Sequence, residues 1–240
     1  LHVGFDSIPS DLGTFFSAQA IGKPIKRIES FHSYKGGASG GTLETMFSMG
    51  ELDLGDDLTD PFLLNPENSY SNEQKQLSSD KVGIARKPEI SAWSGPFIMA
   101  TANTRVVRRT EALLALRQES YGADFTYQEH AYHKSWFSAV KSLLLTGLSV
   151  LVLLSPLKRL VKPFLPKPGE GPSESIQENG WFDCKYIVET DDGAKSVFNM
   201  NGRGDPGYKV TSKLVSECAL CLIENEDDLP GGKEYGGVLT

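Results

Sequence analysis

The sequence is short of several things, and each shortage closes off a class of function. It has only three cysteines, Cys184, Cys218 and Cys221. An odd, sparse set does not build a disulfide framework, and it points to a reducing, cytoplasmic setting. Cys218 and Cys221 have C-x-x-C spacing, but they sit deep in an amphipathic run and read as core thiols. A metal site of this kind needs more ligands than Cys184 supplies, and His130 and His133 do not share a face of the strand they lie on, so no metal is expected. Positive charge is also in deficit, with 24 Lys and Arg against 31 Asp and Glu and a net charge of −7. That argues against a general nucleic-acid surface, and no nucleic-acid partner is expected. No lysine follows a glycine-rich turn where a Walker motif needs one, which removes ATPase chemistry. There is no internal repeat. The uncharged run Ser142 to Leu157 falls short of the roughly 20 residues that a bilayer-spanning helix needs.

What is present can form one domain or two small ones, since 39% apolar content supports a sizeable core. Asp11 to Ala20 reads as a helix capped by Ser10 and ended by Gly22 and Pro24. Ile25 to Tyr34 reads as a strand, and the glycine-rich turn Gly36–Gly41 leads to a helix from Thr42 to Met49. Residues 53–87 are polar and turn-rich, the pattern of a surface excursion or lid. Helix resumes from Pro96 to Leu116, Phe125 to His133 alternates as a strand, and Ser135 to Leu154 is an apolar helix. Residues 162–180, rich in Pro, Gly, Ser and Glu, read as a flexible loop. Trp181–Thr190 and Lys195–Met200 form a hairpin around Asp192-Gly193, with Phe182, Cys184, Tyr186 and Val188 on one face. Tyr208 to Ile223 is a last helix. Hairpins mixed with helices predict an α+β fold, a mixed or largely antiparallel sheet covered by helices, rather than a doubly wound one.

Several groups can carry chemistry. Asp6, Ser7, Ser10 and Asp11 crowd a helix start around Pro9. Amides there can bind an anion or a carbonyl oxygen, and the carboxylates can relay protons; simple capping explains the same residues. The amides of the Gly36–Gly41 turn can cradle a phosphate or approach a planar ring. Arg105, Arg108 and Arg109 on one helix can clamp a carboxylate or phosphate, or form a solvated face with Glu111. Gly202-Arg203-Gly204-Asp205-Pro206-Gly207 has G-x-G-x-x-G spacing. Asp205, however, puts a negative charge where a pyrophosphate belongs, so a tight connection or a substrate-facing loop is the better reading. Tyr208 and Lys209 bring a phenol and an amine near a helix start. The Ser142–Leu157 run, followed by Lys158, Arg159, Lys162 and Lys167, reads as a buried helix, a helix lying on a lipid surface, or a partner-docking helix.

Gly4-Phe5-Asp6-Ser7-Ile8-Pro9-Ser10-Asp11-Leu12-Gly13 resembles the segment after the dinucleotide domain of saccharopine dehydrogenase-like oxidoreductases, a group that includes trans-acting enoyl reductases. Ser39-Gly40-Gly41-Thr42, the stretch Asn103 to Arg109, Gly204 to Tyr208 and the closing Gly-Gly-Val-Leu-Thr support the resemblance, which spans nearly the whole chain. It implies that residues 1–240 form a C-terminal substrate and dimerisation domain, with NAD(P) held by an N-terminal Rossmann domain that lies before Leu1. The chain opens directly into a loop-like motif, which fits a piece of a longer protein. It further implies a homodimer, no tightly bound cofactor on this part, and reduction of an unsaturated or carbonyl-bearing, lipid-like substrate. On this reading Asp6, Ser10 and Tyr208 are the catalytic candidates. Arg105, Arg108 and Asp205 face substrate, and Gly40, Gly41 and Thr42 border the nicotinamide. The alternative is a non-enzymatic lipid-binding or interaction domain in an oxidoreductase shell, peripheral to a membrane.

Overall fold

The computed structural model describes residues 4–37, 39–49, 59–225 and 227–229. Residues 53–58 of the expected excursion and the closing segment 236–240 lie outside the described residues. One six-stranded sheet organises the chain, in the order β2-β3-β4-β1-β5-β6. The strands are β1 (Ile25–Lys35), β2 (Ala85–Lys87), β3 (Ala92–Gly95), β4 (Thr126–His133), β5 (Trp181–Thr190) and β6 (Lys195–Arg203). Only β1 and β4 run parallel, and every other pairing is antiparallel. The fold is therefore α+β, and no doubly wound parallel sheet occurs among the described residues.

The helices are α1 (Ile8–Ile21), α2 (Gly40–Met49), α3 (Asn72–Leu77), α4 (Ala100–Leu116), α5 (Trp136–Leu154), α6 (Lys158–Val161), α7 (Glu174–Glu178) and α8 (Thr211–Glu224). Alternation on the central strands sorts side chains by face. Ile28, Ser30 and His32 of β1 stand level with Tyr127, Glu129 and Ala131 of β4 and with Val188, Tyr186 and Cys184 of β5. α1 and α4 pack on one another and cover this face. Ile25, Ile28, Val107, Tyr127 and Val188 are fully buried there, and each such aliphatic side chain contributes roughly 2 kcal/mol through burial.

Some boundaries differ from the sequence reading for identifiable reasons. α1 begins at Ile8, with Pro9 in its first turn and Ser7 as the N-cap. Ser10 is thus no cap: it lies one turn in, on the buried face. Helix α4 starts at Ala100, because Pro96 follows the end of β3 and residues 98–99 form a turn before the helix. The short strands β2 and β3 were hidden in a polar stretch, where three or four residues leave no periodicity to read. Tyr208 lies in a π-helical turn, Pro206–Val210, that precedes α8. The C-x-x-C thiols are not in the core: α8 has no buried residue, Cys218 is half-buried and Cys221 is exposed.

Candidate functional site

α1 approaches the sheet closely because its inner face is made of small residues, Ser10, Gly13, Thr14 and Ser17. A Cβ on Gly13 would sit 2.2 Å from the Tyr186 ring, so only glycine permits the contact. Tyr186 then donates its phenol to the Pro9 carbonyl at 2.6 Å. Thr14 and Ser17 satisfy their hydroxyls on carbonyls one turn back, at 2.7 and 2.6 Å. The close fit places Ser7 and Ser10 over the polar centre of the sheet.

That centre is a continuous buried network. Ser7 Oγ donates to Asn103 Oδ1 at 3.2 Å, and Asn103 Nδ2 donates to Glu129 Oε1 at 2.8 Å. Tyr127 Oη donates to Glu129 Oε2 at 3.2 Å. Ser30 Oγ lies 2.6 Å from Tyr127 Oη and 2.9 Å from His32 Nε2, which is itself 3.3 Å from Glu129 Oε1. His32 Nδ1 is 3.2 Å from Cys184 Sγ. The Ser10 hydroxyl faces the same carboxyl but has no partner of normal hydrogen-bond geometry. Burial raises the Glu129 pKa to about 7, against the pull of Asn103, Ser10 and Tyr127, and nearby Asp6 adds to the rise. Burial and the neighbouring His130 hold His32 down to about 3, so its ring is neutral at physiological pH. Burial pushes the Cys184 thiol and the Tyr127 phenol up, so both stay protonated.

One proton arrangement satisfies the chain when Glu129 is ionised: Cys184 donates to His32, His32 to Ser30, Ser30 to Tyr127 and Tyr127 to Glu129. Adding one proton to Cys184 from the cavity side and reversing every bond gives the arrangement with Glu129 protonated. The network ends at a cavity of about 370 Å³ whose wall includes His32 and Cys184. Asp6, Tyr34, Phe97 and Thr42 also line it. Phe97 stacks on His32 with ring centroids 5.1 Å apart and planes 6° apart, which fixes the imidazole. Burial raises the Asp6 carboxyl above its ordinary range. Burial and Asp6 raise the Tyr34 phenol.

The chain is 35% identical over 260 residues to a protein of Mycobacterium tuberculosis described as a candidate trans-acting enoyl reductase, with 99% of this chain and 60% of that relative covered. Trans-acting enoyl reductases of Mycobacterium leprae and Mycobacterium ulcerans are 30% and 29% identical, over the whole of this chain and 61% of each relative. The chain is homologous to the trans-acting enoyl reductases. No family model and no solved structure matches it. It spans less than two thirds of the length of these relatives.

The residues that carry the enoyl reductase resemblance fall into distinct places. Asp6 and Thr42 line the cavity, and Ser10 stands behind it. The Gly40 amide bonds the Glu170 carbonyl at 3.0 Å, and a Cβ there would strike the Lys167 carbonyl. Gly41 opens α2 beside it. Asp205 is fully buried and takes the amides of Gly37 and Tyr208 at 2.8 and 2.7 Å. Its carboxylate fills the helix start that a pyrophosphate would need, so the G-x-G-x-x-G spacing closes a turn and holds no dinucleotide. Tyr208 Oη donates to the Glu170 carbonyl at 3.1 Å and does not line the cavity.

Arg105 and Arg108 are buried and not at the cavity. Arg105 grips Asp80 through two nitrogens at 2.5 and 2.8 Å. Arg108 donates to the carbonyls of Pro61, Ser78 and Tyr127 at 2.8 to 2.9 Å. Together they clasp residues 60–80 against α4. Sequence reasoning gave no role to His32, Glu129, Tyr127 or Asn103. The available signal was polar residues at facing positions of two central strands, Ser30 and His32 on β1 and Glu129 on β4, where burial makes apolar residues the norm.

Proposed function

We propose that this chain supplies the substrate pocket and proton source of an NAD(P)-linked reductase acting on an unsaturated or carbonyl-bearing, acyl-type substrate. The observation that carries the reading is the buried line from Glu129 to the His32–Cys184 wall of the cavity. Homology to the enoyl reductases supports the reaction class. The described residues form no dinucleotide cradle, so the reading assigns NAD(P) to a Rossmann domain outside this chain, its first partner. A homodimer is a further expectation. The nine-residue β6 edge pairs only with β5 among the described residues, which leaves it available for such pairing.

This chain's own residues then do two things. Phe97, Tyr34 and Ile98 give the cavity an apolar wall that holds a planar, conjugated group, and Asp6 sits at its rim. Reduction leaves an enolate that needs one proton. Glu129 holds that proton in a buried site tuned close to neutrality, where proton transfer is efficient in both directions. Concerted reversal of the Glu129–Tyr127–Ser30–His32–Cys184 bonds takes a proton from Glu129 and presents one at the cavity wall. Glu129 ends as carboxylate, the enolate carbon gains hydrogen, and the network is recharged from solvent.

In the longer protein with NADPH and a trans-2-enoyl thioester, Glu129→Gln is expected to lower kcat at least tenfold. It should also remove a pH dependence centred near the Glu129 pKa, with KM little changed. An unchanged kcat and pH profile would overturn the proton role. By isothermal calorimetry, this chain alone is expected to show no micromolar binding of NADPH. Micromolar binding would overturn the division between the two domains.

A further inference from the structure

We infer that the arm from α5 to Pro168 lies in the plane of an anionic lipid surface as a peripheral foot, and does not cross the bilayer. The inference is independent of the reaction proposed above. α5 is the one helix among the described residues long and apolar enough to span a membrane. The structure leaves it almost bare: Ala139 is buried, while Phe137 is 78% exposed, and Leu144, Leu148 and Leu151 all face solvent. The exposed apolar surface continues through Leu157, Leu160 and Phe164, the last 87% exposed. A contiguous surface of this kind marks a docking site.

Charge identifies the occupant. The arm and its flanks carry Lys134, Lys141, Lys158, Arg159, Lys162 and Lys167, and no aspartate or glutamate lies between Lys134 and Pro168. In a chain of net charge −7 this segregation makes an apolar arm whose own charges are all positive. It complements anionic headgroups over an acyl layer. A second copy fits poorly, because pairing two arms in either direction sets lysines against lysines with no carboxylate between them.

Topology sets the orientation. α5 is inserted between β4 and β5, and both strands pair with β1 in the same sheet. A crossing helix would deliver everything after Leu154 to the far side. The chain instead returns at once: Lys162 Nζ is 2.8 Å from Glu44 Oε1, and the Glu170 carbonyl accepts from the Gly40 amide. No second spanning helix among the described residues brings it back.

Flotation of the purified chain with vesicles tests this. Strong flotation is expected with phosphatidylcholine vesicles containing phosphatidylserine, with release by high salt or alkaline carbonate. Little flotation is expected with phosphatidylcholine alone. The double variant Lys141→Glu, Arg159→Glu should weaken partitioning by at least tenfold, since each charge near such a surface is worth about fivefold. Leu144→Ser with Leu148→Ser should weaken it similarly, and unchanged circular dichroism would show that both variants remain folded. Equal flotation on neutral vesicles, retention through carbonate, or self-association abolished by the same substitutions would each overturn the inference.

Discussion

A carboxyl group with no solvent contact ionises only against the loss of its hydration, and at Glu129 that loss sets a measurable pH dependence. Its folded pKa of about 7 lies above the ordinary 4.5. Below 4.5 the folded and unfolded chains bind this proton equally. Between 4.5 and 7 the unfolded chain releases it first, so stability falls as pH rises, by about 3 kcal/mol across the window. Asp11, raised by burial to about 6 despite its bond from Thr110, acts in the same direction. Glu129→Gln should therefore flatten, but not abolish, the decline in urea midpoint from pH 4.5 to 7.5. A decline as steep as in the unsubstituted protein would mean that Glu129 ionises freely. Gly13 tests the packing above it. Gly13→Ala forces a methyl group into Tyr186 and breaks the bond to Pro9, and it should cost about 2 kcal/mol in chemical denaturation. The Glu129 network was invisible in the sequence because its members lie up to 177 positions apart between Ser7 and Cys184, and only packing α1 and α4 over the paired strands β1, β4 and β5 brings them together.

Elements are held here by buried ionic and polar clasps as much as by apolar contact. Arg108 saturates three carbonyls from three separate segments. Arg108→Ala would leave them without a donor in the interior, at about 3 kcal/mol. Arg105→Ala should act more locally, by releasing Asp80. Faster amide exchange confined to residues 60–80 would report it. Asp205 ties the turn after β1 to the start of the last helical segment. Asp205→Ala should cost about 2 kcal/mol, and Asp205→Asn about half as much because one acceptor remains. Here the sequence pointed to consequential residues and left their partners open. An arginine trio on a helix looks the same whether it faces a ligand or its own chain. Only the fold of residues 59–80 decided that these side chains are spent internally.

At the scale of the molecule, one sheet joins residues from both ends of the chain. β1 lies at its centre, flanked by β4 and by the late strand β5. Breaking that centre should unfold both halves together. A single transition, seen alike by tryptophan fluorescence and by far-ultraviolet circular dichroism, is the expected outcome. The same connectivity tethers α5 at both ends to one body, which favours the inferred in-plane contact over a crossing.

The linear pattern was enough to determine the α+β class, the long central and C-terminal strands, the apolar helix and the kinship with enoyl reductases. These rest on periodicity, turn residues and local similarity, which are properties of neighbouring positions. The tertiary structure alone decided that Ser10 packs rather than caps, that Asp205 fills its own anion site, and that Ser30, His32, Tyr127, Glu129 and Cys184 meet in one hydrogen-bonded network. The reason is physical: burial and strand register set which polar groups meet and which protonation states they keep, and neither is encoded by spacing along the chain.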